Sequence, residues 1–265
     1  MKQLGLVLGV ILFTTIFESC SERNNFSSGE WIDLTHDFSS ETVYWPTADL
    51  FKLEEVYRGY TERGYYYFSN NYSAAEHGGT HIDAPIHFAE GKNSVDIIPL
   101  TNLIAPAVVV DVSNKTMRNR DYQIGVVDFK DWEAQHGITV DGMIVLLNTG
   151  YDKFWFDLEK YTGTVKKGED AVSELHFPGL DPQAAQWLVE ERNIKAMGLD
   201  TPSIDYGQSV LFESHQILFS KNIPVFENVS NIDKLPSNGS FVIVLPMKIK
   251  GGSGSPLRIV AFVQD

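Results

Sequence analysis

Continuous apolar runs such as Val108-Val109-Val110 and Ile144-Val145-Leu146-Leu147 are interleaved with helical stretches along most of the chain. Runs of this kind belong to strands covered on both faces. Strands are expected at Trp31–Thr35, Tyr65–Ser69, Ala107–Val112, Met143–Asn148, Ala196–Asp200, Val225–Val229, Phe241–Lys248 and Leu257–Val263. The clearest helix is Asp181–Arg192, where Asp181 can cap, Pro182 suits the first helical position, and Ala184, Ala185, Leu188 and Val189 form one apolar stripe. Val126–Gln135, closed by Gly137, and Leu211–Ser220 are further helices. Strands alternating with helices predict a single α/β (or α+β) domain over 31–265, a mixed β-sheet flanked by helices. The Gly-rich stretch Lys250–Pro256 lacks the spacing and following helix of a phosphate loop. It reads as a wide turn, near a pocket or simply flexible.

Ahead of this domain the pattern changes. Lys2 is followed by an apolar stretch from Leu4 to Phe13, continuing to Phe17, and then by Glu18-Ser19-Cys20. The run is short for a membrane span and has the outline of an export signal over 1–19, with residues 20–30 a flexible tether. The lone cysteine at the end of such a run resembles a bacterial lipoprotein processing site, with Cys20 the lipidated residue; a plain secretory signal with an incidental Cys20 is the alternative. Export as a cell-envelope lipoprotein, periplasmic or outer-membrane associated, follows from the first reading, with membrane contact only through an N-terminal lipid. A single cysteine excludes disulfide frameworks and Cys-rich zinc sites. The net charge of −14 argues against nucleic-acid binding, which needs a basic face.

Chemistry concentrates in one segment. Three of the seven histidines fall in His77-Gly-Gly-Thr-His81-Ile-Asp83-Ala-Pro-Ile-His87. His77, His81, Asp83 and His87 occupy odd positions, so an extended backbone would set them on one face and Ile82, Ala84 and Ile86 on the other. Gly78, Gly79 and Pro85 disfavour a helix here. Imidazoles with a carboxylate suit Zn or Mn without thiolate, and three protein ligands with an open position is a catalytic arrangement. A His-rich surface strand without metal is the plainer alternative.

The spacing His77-x3-His81-x-Asp83-x3-His87 resembles the signature of the cyclase family, metal-dependent hydrolases that include kynurenine formamidases and isatin hydrolases. Further resemblances lie in Trp31–His36, Tyr44-Trp45-Pro46, Gly198–Asp205 and the stretch from Ser214-His215 to Glu227-Asn228. Together they cover about 31–265. The resemblance implies that His77, His81 and Asp83 hold one divalent metal ion and that Asp83 bridges to a second held by His215 and Glu227, although some members use one ion. It implies that His87 is the catalytic base and acid, taking a proton from the attacking water and returning it to the leaving nitrogen. Trp45 would stack on a small-molecule substrate, with Phe88 and Phe68 as further candidates; a core tryptophan is the alternative for Trp45. Relatives imply a homodimer or homotetramer.

Other polar residues have two readings each. His176 sits before the capped helix, where it contacts substrate or is satisfied by backbone. Asp200 and Asp205 orient ligand imidazoles or cap the turn at Pro202, His36 and His136 are structural or surface groups, and Trp155–Tyr161 is a lid or an oligomer contact. The function expected is metal-dependent cleavage of an amide or lactam bond of a small, aromatic molecule. A non-catalytic lipoprotein that binds metal or a small ligand is the alternative.

Overall fold

The computed structural model describes residues 26–265, so the signal, most of the tether and Cys20 lie outside the described residues. Among the described residues there are twelve strands: β1 (Gly29–Asp33), β2 (Lys52–Tyr60), β3 (Tyr66–Ser73), β4 (His81–Asp83), β5 (Ile104–Asp111), β6 (Gln123–Ile124), β7 (Ile144–Asn148), β8 (Gly179–Leu180), β9 (Ala196–Leu199), β10 (Val225–Glu227), β11 (Ser240–Pro246) and β12 (Gly254–Gln264). Eight form one sheet in the order β1-β12-β11-β5-β7-β9-β10-β4. β5, β7, β9 and β10 run parallel, while β11, β12, β4 and β1 pair antiparallel. β4 also pairs with β12, which closes seven of these strands into a barrel and leaves β1 as an added edge. The expected mixed sheet is therefore present, but closed on itself.

Two-sided burial explains the apolar runs. Ala105, Ala107, Val109, Ile144, Leu146, Ile82, Phe226, Val242 and Ile259 belong to one core cluster. Their neighbours Val108, Val110, Val145, Leu147, Met197 and Val225 belong to a second, shared with three helices. Those helices are Val126–His136, Pro182–Glu191 and Glu213–Ser220, contributing Phe129 and Trp132, Ala184 and Leu188, and Leu218 and Phe219. Period-2 alternation along β5, β7, β9 and β10 thus sends one set of side chains into the barrel and the other to the helical layer. Asp181 caps its helix, accepting from Gln183 N at 2.7 Å, with Pro182 in the first turn.

One expected strand lies outside the main sheet, and two expectations change. The strand expected at Tyr65–Ser69 is one arm of a separate β2–β3 hairpin, whose first arm, with almost no buried face, carries no alternation to read. The segment His77–His87 is not one extended strand: only His81–Asp83 is, and Pro85–His87 is a single 3-10 turn. Trp155 and Tyr161 are buried in a small cluster with Tyr151, Leu175 and Phe177, so they form core rather than lid, and Phe156 alone of these aromatics is strongly exposed.

Phe226 is fully buried inside the barrel. Phe226→Ala is expected to cost about 3–5 kcal/mol in urea unfolding; a loss below about 1 kcal/mol would show that the barrel interior is not closely packed there.

Candidate metal centre

The closing strand β4 builds the site. Ile82 packs into the barrel, so its neighbours His81 and Asp83 face outward. β10 alternates in the same sense, with Phe226 inward and Val225 and Glu227 outward. Register sets Glu227 directly opposite His81, and Val225 opposite Asp83. The helix Glu213–Ser220 lies over this outer surface and supplies His215 from its first turn. Asp205 fixes that end: its carboxylate accepts from Ser214 N at 3.0 Å, His215 N at 3.2 Å and His215 Nδ1 at 2.6 Å, combining a helix cap with orientation of the imidazole. His77 arrives on the loop before β4. Gly78 is needed there because a Cβ would sit 2.0 Å from the Tyr44 ring, and Gly79 has φ +59°.

The imidazoles and carboxylates converge closely. His77 Nδ1 lies 2.6 Å from Asp83 Oδ1, His81 Nε2 lies 3.1 Å from Asp83 Oδ1 and 3.5 Å from Glu227 Oε2, and His215 Nε2 lies 3.1 Å from Asp83 Oδ2 and 3.2 Å from Glu227 Oε1. The outer nitrogens are engaged too: His81 Nδ1 donates to Gly79 O at 3.0 Å, and His215 Nδ1 to Asp205. Those acceptors assign the outer proton and leave the inner nitrogen's lone pair facing carboxylate oxygens.

Acceptors that face one another at this range need a cation or protons between them. In protonic terms, burial by itself would lower His81 and His215, but neighbouring carboxylates outweigh it and raise both, Asp83 and Glu227 for His81, Asp205, Asp83 and Glu227 for His215. Burial and the charge of Asp83 push Glu227 up, whereas the His77 and His81 charges overcome burial to hold Asp83 well below the carboxylate range. His81, Asp83, His215 and Glu227 are all nearly inaccessible. Two buried carboxylates ringed by inward-facing imidazole lone pairs fit a divalent ion, which replaces the protons and offsets the charge. Among the described residues two sets of donor atoms have metal-binding spacing, His77/Asp83/His87 and His81/Asp83/Glu227, each within 4.8 Å, and Asp83 is common to both.

His87 stacks on the His77 ring, centroids 3.9 Å apart at 18°, and burial lowers its pKa to about 4 despite the opposing charge of Asp83. All six residues named from the motifs, His77, His81, Asp83, His87, His215 and Glu227, line one cavity of about 310 Å3. Val43, Tyr44, Trp45, Phe88, Pro202 and Phe212 supply its apolar wall. Trp45 and Phe88 are therefore at the cavity. His176 is not: it does not line this cavity, and its Nδ1 pairs with the Asp121 carboxylate at 2.8 Å. Phe68 is exposed on the hairpin beneath Arg58. Of the two aspartates, Asp205 orients His215, whereas Asp200 accepts from Thr149, Tyr151 and Asp152 and anchors that turn. His36 stacks on Trp155 and pairs with Asp152, and His136 packs against Trp132.

Sequence reasoning missed Phe212, whose ring lies 5.3 Å from Phe88 and 6.2 Å from Trp45. Its backbone is left-handed, φ 51° and ψ 46°, an unusual state for an aromatic residue that directs attention to the site. No local sequence signal marks it.

A seven-strand barrel with an outward-facing His/Asp/Glu centre defines a metal-dependent hydrolase of the cyclase class. Residues 32–206 match the family described as putative cyclase, and the chain belongs to that family. It is 31% identical to the isatin hydrolase of Roseibium aggregatum over 88% of this chain and 86% of that protein. Identity to the kynurenine formamidase of Bacillus cereus is 26%, over 88% of this chain and 97% of the relative. Among solved structures, isatin hydrolase A from Ralstonia solanacearum superposes with a TM-score of 0.79 at 34% identity, covering 89% of this chain and 92% of that one. An isatin hydrolase bound to the product analogue thioisatinate gives the same TM-score at 29% identity, over 90% and 94%.

Asp205→Asn keeps the shape but weakens the acceptor that holds His215 Nδ1–H. Metal affinity, measured by chelator competition, is expected to fall about 10- to 100-fold; unchanged affinity would mean that Asp205 serves the helix end alone.

Proposed function

We propose that this protein is a divalent-metal-dependent hydrolase that opens an amide or lactam C–N bond of a small aromatic molecule, with Zn or Mn as the metal, one or two ions. The observation that carries this reading is the placement of the donor cluster at the base of a cavity walled by Trp45, Phe88 and Phe212. The activities in the names of its isatin hydrolase and kynurenine formamidase relatives support it.

His77, His81, Asp83, His215 and Glu227 would hold the metal, which when bound polarises a carbonyl and lowers the pKa of water to about 7. Trp45, Phe88 and Phe212 orient an aromatic ring and exclude bulk water from the polar floor. Asp83 and Glu227 keep the floor negative enough to retain a dication. His87 has a ring nitrogen within 4.8 Å of donor atoms on His77 and Asp83, on the same cavity wall. It accepts the proton of the attacking water as the C–O bond forms, and delivers it to the nitrogen as the C–N bond breaks.

Turnover of isatin, N-formylkynurenine or simple lactams is expected to vanish on chelation and to return with Zn or Mn. His87→Ala should retain the metal and lose at least about 100-fold in kcat, whereas His81→Ala should lose the metal too. Unaltered kcat in His87→Ala would remove its role as base. No turnover by fully loaded protein across the panel would favour a binding lipoprotein.

The same proposal includes export as a Cys20-lipidated envelope protein and assembly as a homodimer or homotetramer. Support for assembly comes from the β2–β3 hairpin, which exposes Leu53, Val56, Tyr60, Tyr66, Tyr67 and Tyr72 on a two-stranded ribbon. Such a ribbon is marginal in water by itself. Full-length protein should take up labelled fatty acid that Cys20→Ser does not, and light scattering should give two or four chains; equal labelling of both, or a monomer, overturns the respective part.

A further inference from the structure

The Gly-rich turn before β12 is part of the site. Ser253 Oγ lies 2.9 Å from His77 Nε2 and donates to Glu76 Oε2 at 2.7 Å, and Ser253 N donates to the same oxygen at 3.0 Å. A carboxylate oxygen only accepts, and a hydroxyl has one proton to give. With that proton committed to Glu76, the Ser253 oxygen is left to accept from His77 Nε2–H. The lone pair of neutral His77 is then on Nδ1, the nitrogen 2.6 Å from Asp83 Oδ1.

The backbone supports this contact independently. A Cβ on Gly254 would lie 2.5 Å from His77 Cε1, and one on Gly252 would lie 2.9 Å from Glu76 Oε1. Gly254 stands in register with Asp83 across the β12–β4 pairing, so the turn is fixed to the strand that carries the other donors. Glycine on both sides of Ser253 lets the turn press against His77. The orientation is also opposite to that of its neighbours: His81 and His215 direct Nδ1 outward and Nε2 inward.

We propose that Glu76 and Ser253 are positioning residues that hold His77 as its Nε2–H tautomer and so present Nδ1 to the divalent ion. This rests on the metal-centre reading above. Neither residue touches the reacting atoms.

The test uses full-length protein and zinc as the probe. Zinc affinity from chelator competition should fall about 10- to 100-fold in Ser253→Ala and in Glu76→Gln, and Ser253→Thr, which keeps the hydroxyl, should recover most of it. The unfolding midpoint of the metal-free Ser253→Ala protein should stay near that of the parent, separating ligand positioning from general damage. In zinc-loaded, 15N-histidine-labelled protein, the His77 N–H signal should arise from Nε2. A His77 proton on Nδ1, or zinc binding by Ser253→Ala within twofold of the parent, overturns the proposal. If the parent itself binds no zinc, the metal-centre reading fails as well.

Discussion

The double pairing of the three-residue strand β4 is the constraint on which the molecule depends. β4 joins β10 on one side and β12 on the other, and those two ladders convert an open sheet into a barrel. One side chain, Ile82, points into the barrel core, while the two beside it, His81 and Asp83, point out as donors. A shift of one residue in either ladder would exchange these faces, burying two polar groups in the apolar interior and exposing Ile82. Register at β4 therefore sets barrel closure and site geometry together, and the apolar packing of Ile82 against Phe226 and its neighbours fixes the positions of the candidate donors.

Electrostatics adds a cost that packing must offset. Asp83 and Glu227 are removed from water together, with Asp205 close behind His215. His77, His81 and His215 each offer a proton to an outer acceptor and a lone pair to the inside, which is the protonation pattern for metal coordination and an unfavourable one for an empty polar cavity. A divalent ion removes that repulsion, so its binding free energy contributes to the stability of the region around β4, β10 and the helix Glu213–Ser220. The outer acceptors come from different parts of the fold: a backbone carbonyl at Gly79, a carboxylate at Asp205, and the hydroxyl of Ser253.

Much of this was legible in the sequence because the relevant rules are local. Alternation marked His81, Ile82 and Asp83 correctly, and continuous apolar runs marked β5, β7 and β9 as strands buried on both faces. His77 and His87 are at the cavity for a different reason than parity: a glycine loop folded against Tyr44 carries one, and a 3-10 turn begun by Pro85 carries the other. Barrel closure was not legible, since it depends on which strand ends meet. The two readings of Asp200 and Asp205 separate only in three dimensions, where one carboxylate faces a turn and the other an imidazole. Glu76 and Ser253 lie 177 residues apart, and no pattern along the chain connects them.

The cavity combines donors held on regular strands with an aromatic wall built on irregular backbone. His81, Asp83 and Glu227 sit in paired strands whose positions are over-determined by the barrel. Phe212, by contrast, occupies the left-handed region just before its helix, a state that costs an aromatic residue on the order of 1–3 kcal/mol. Its amide is held by Ser209 Oγ at 3.1 Å, and its ring meets Phe88 and Trp45. The strain is sustained by the helix behind it, whose first turn is tied down through Asp205. Phe212 stands at the start of the same helix that delivers His215, so one element ties the aromatic wall to the donor cluster. On the proposed reading, a ligand whose ring is misplaced against Phe212 would present its carbonyl away from the donor cluster, which would give selection for shape a direct route into chemistry.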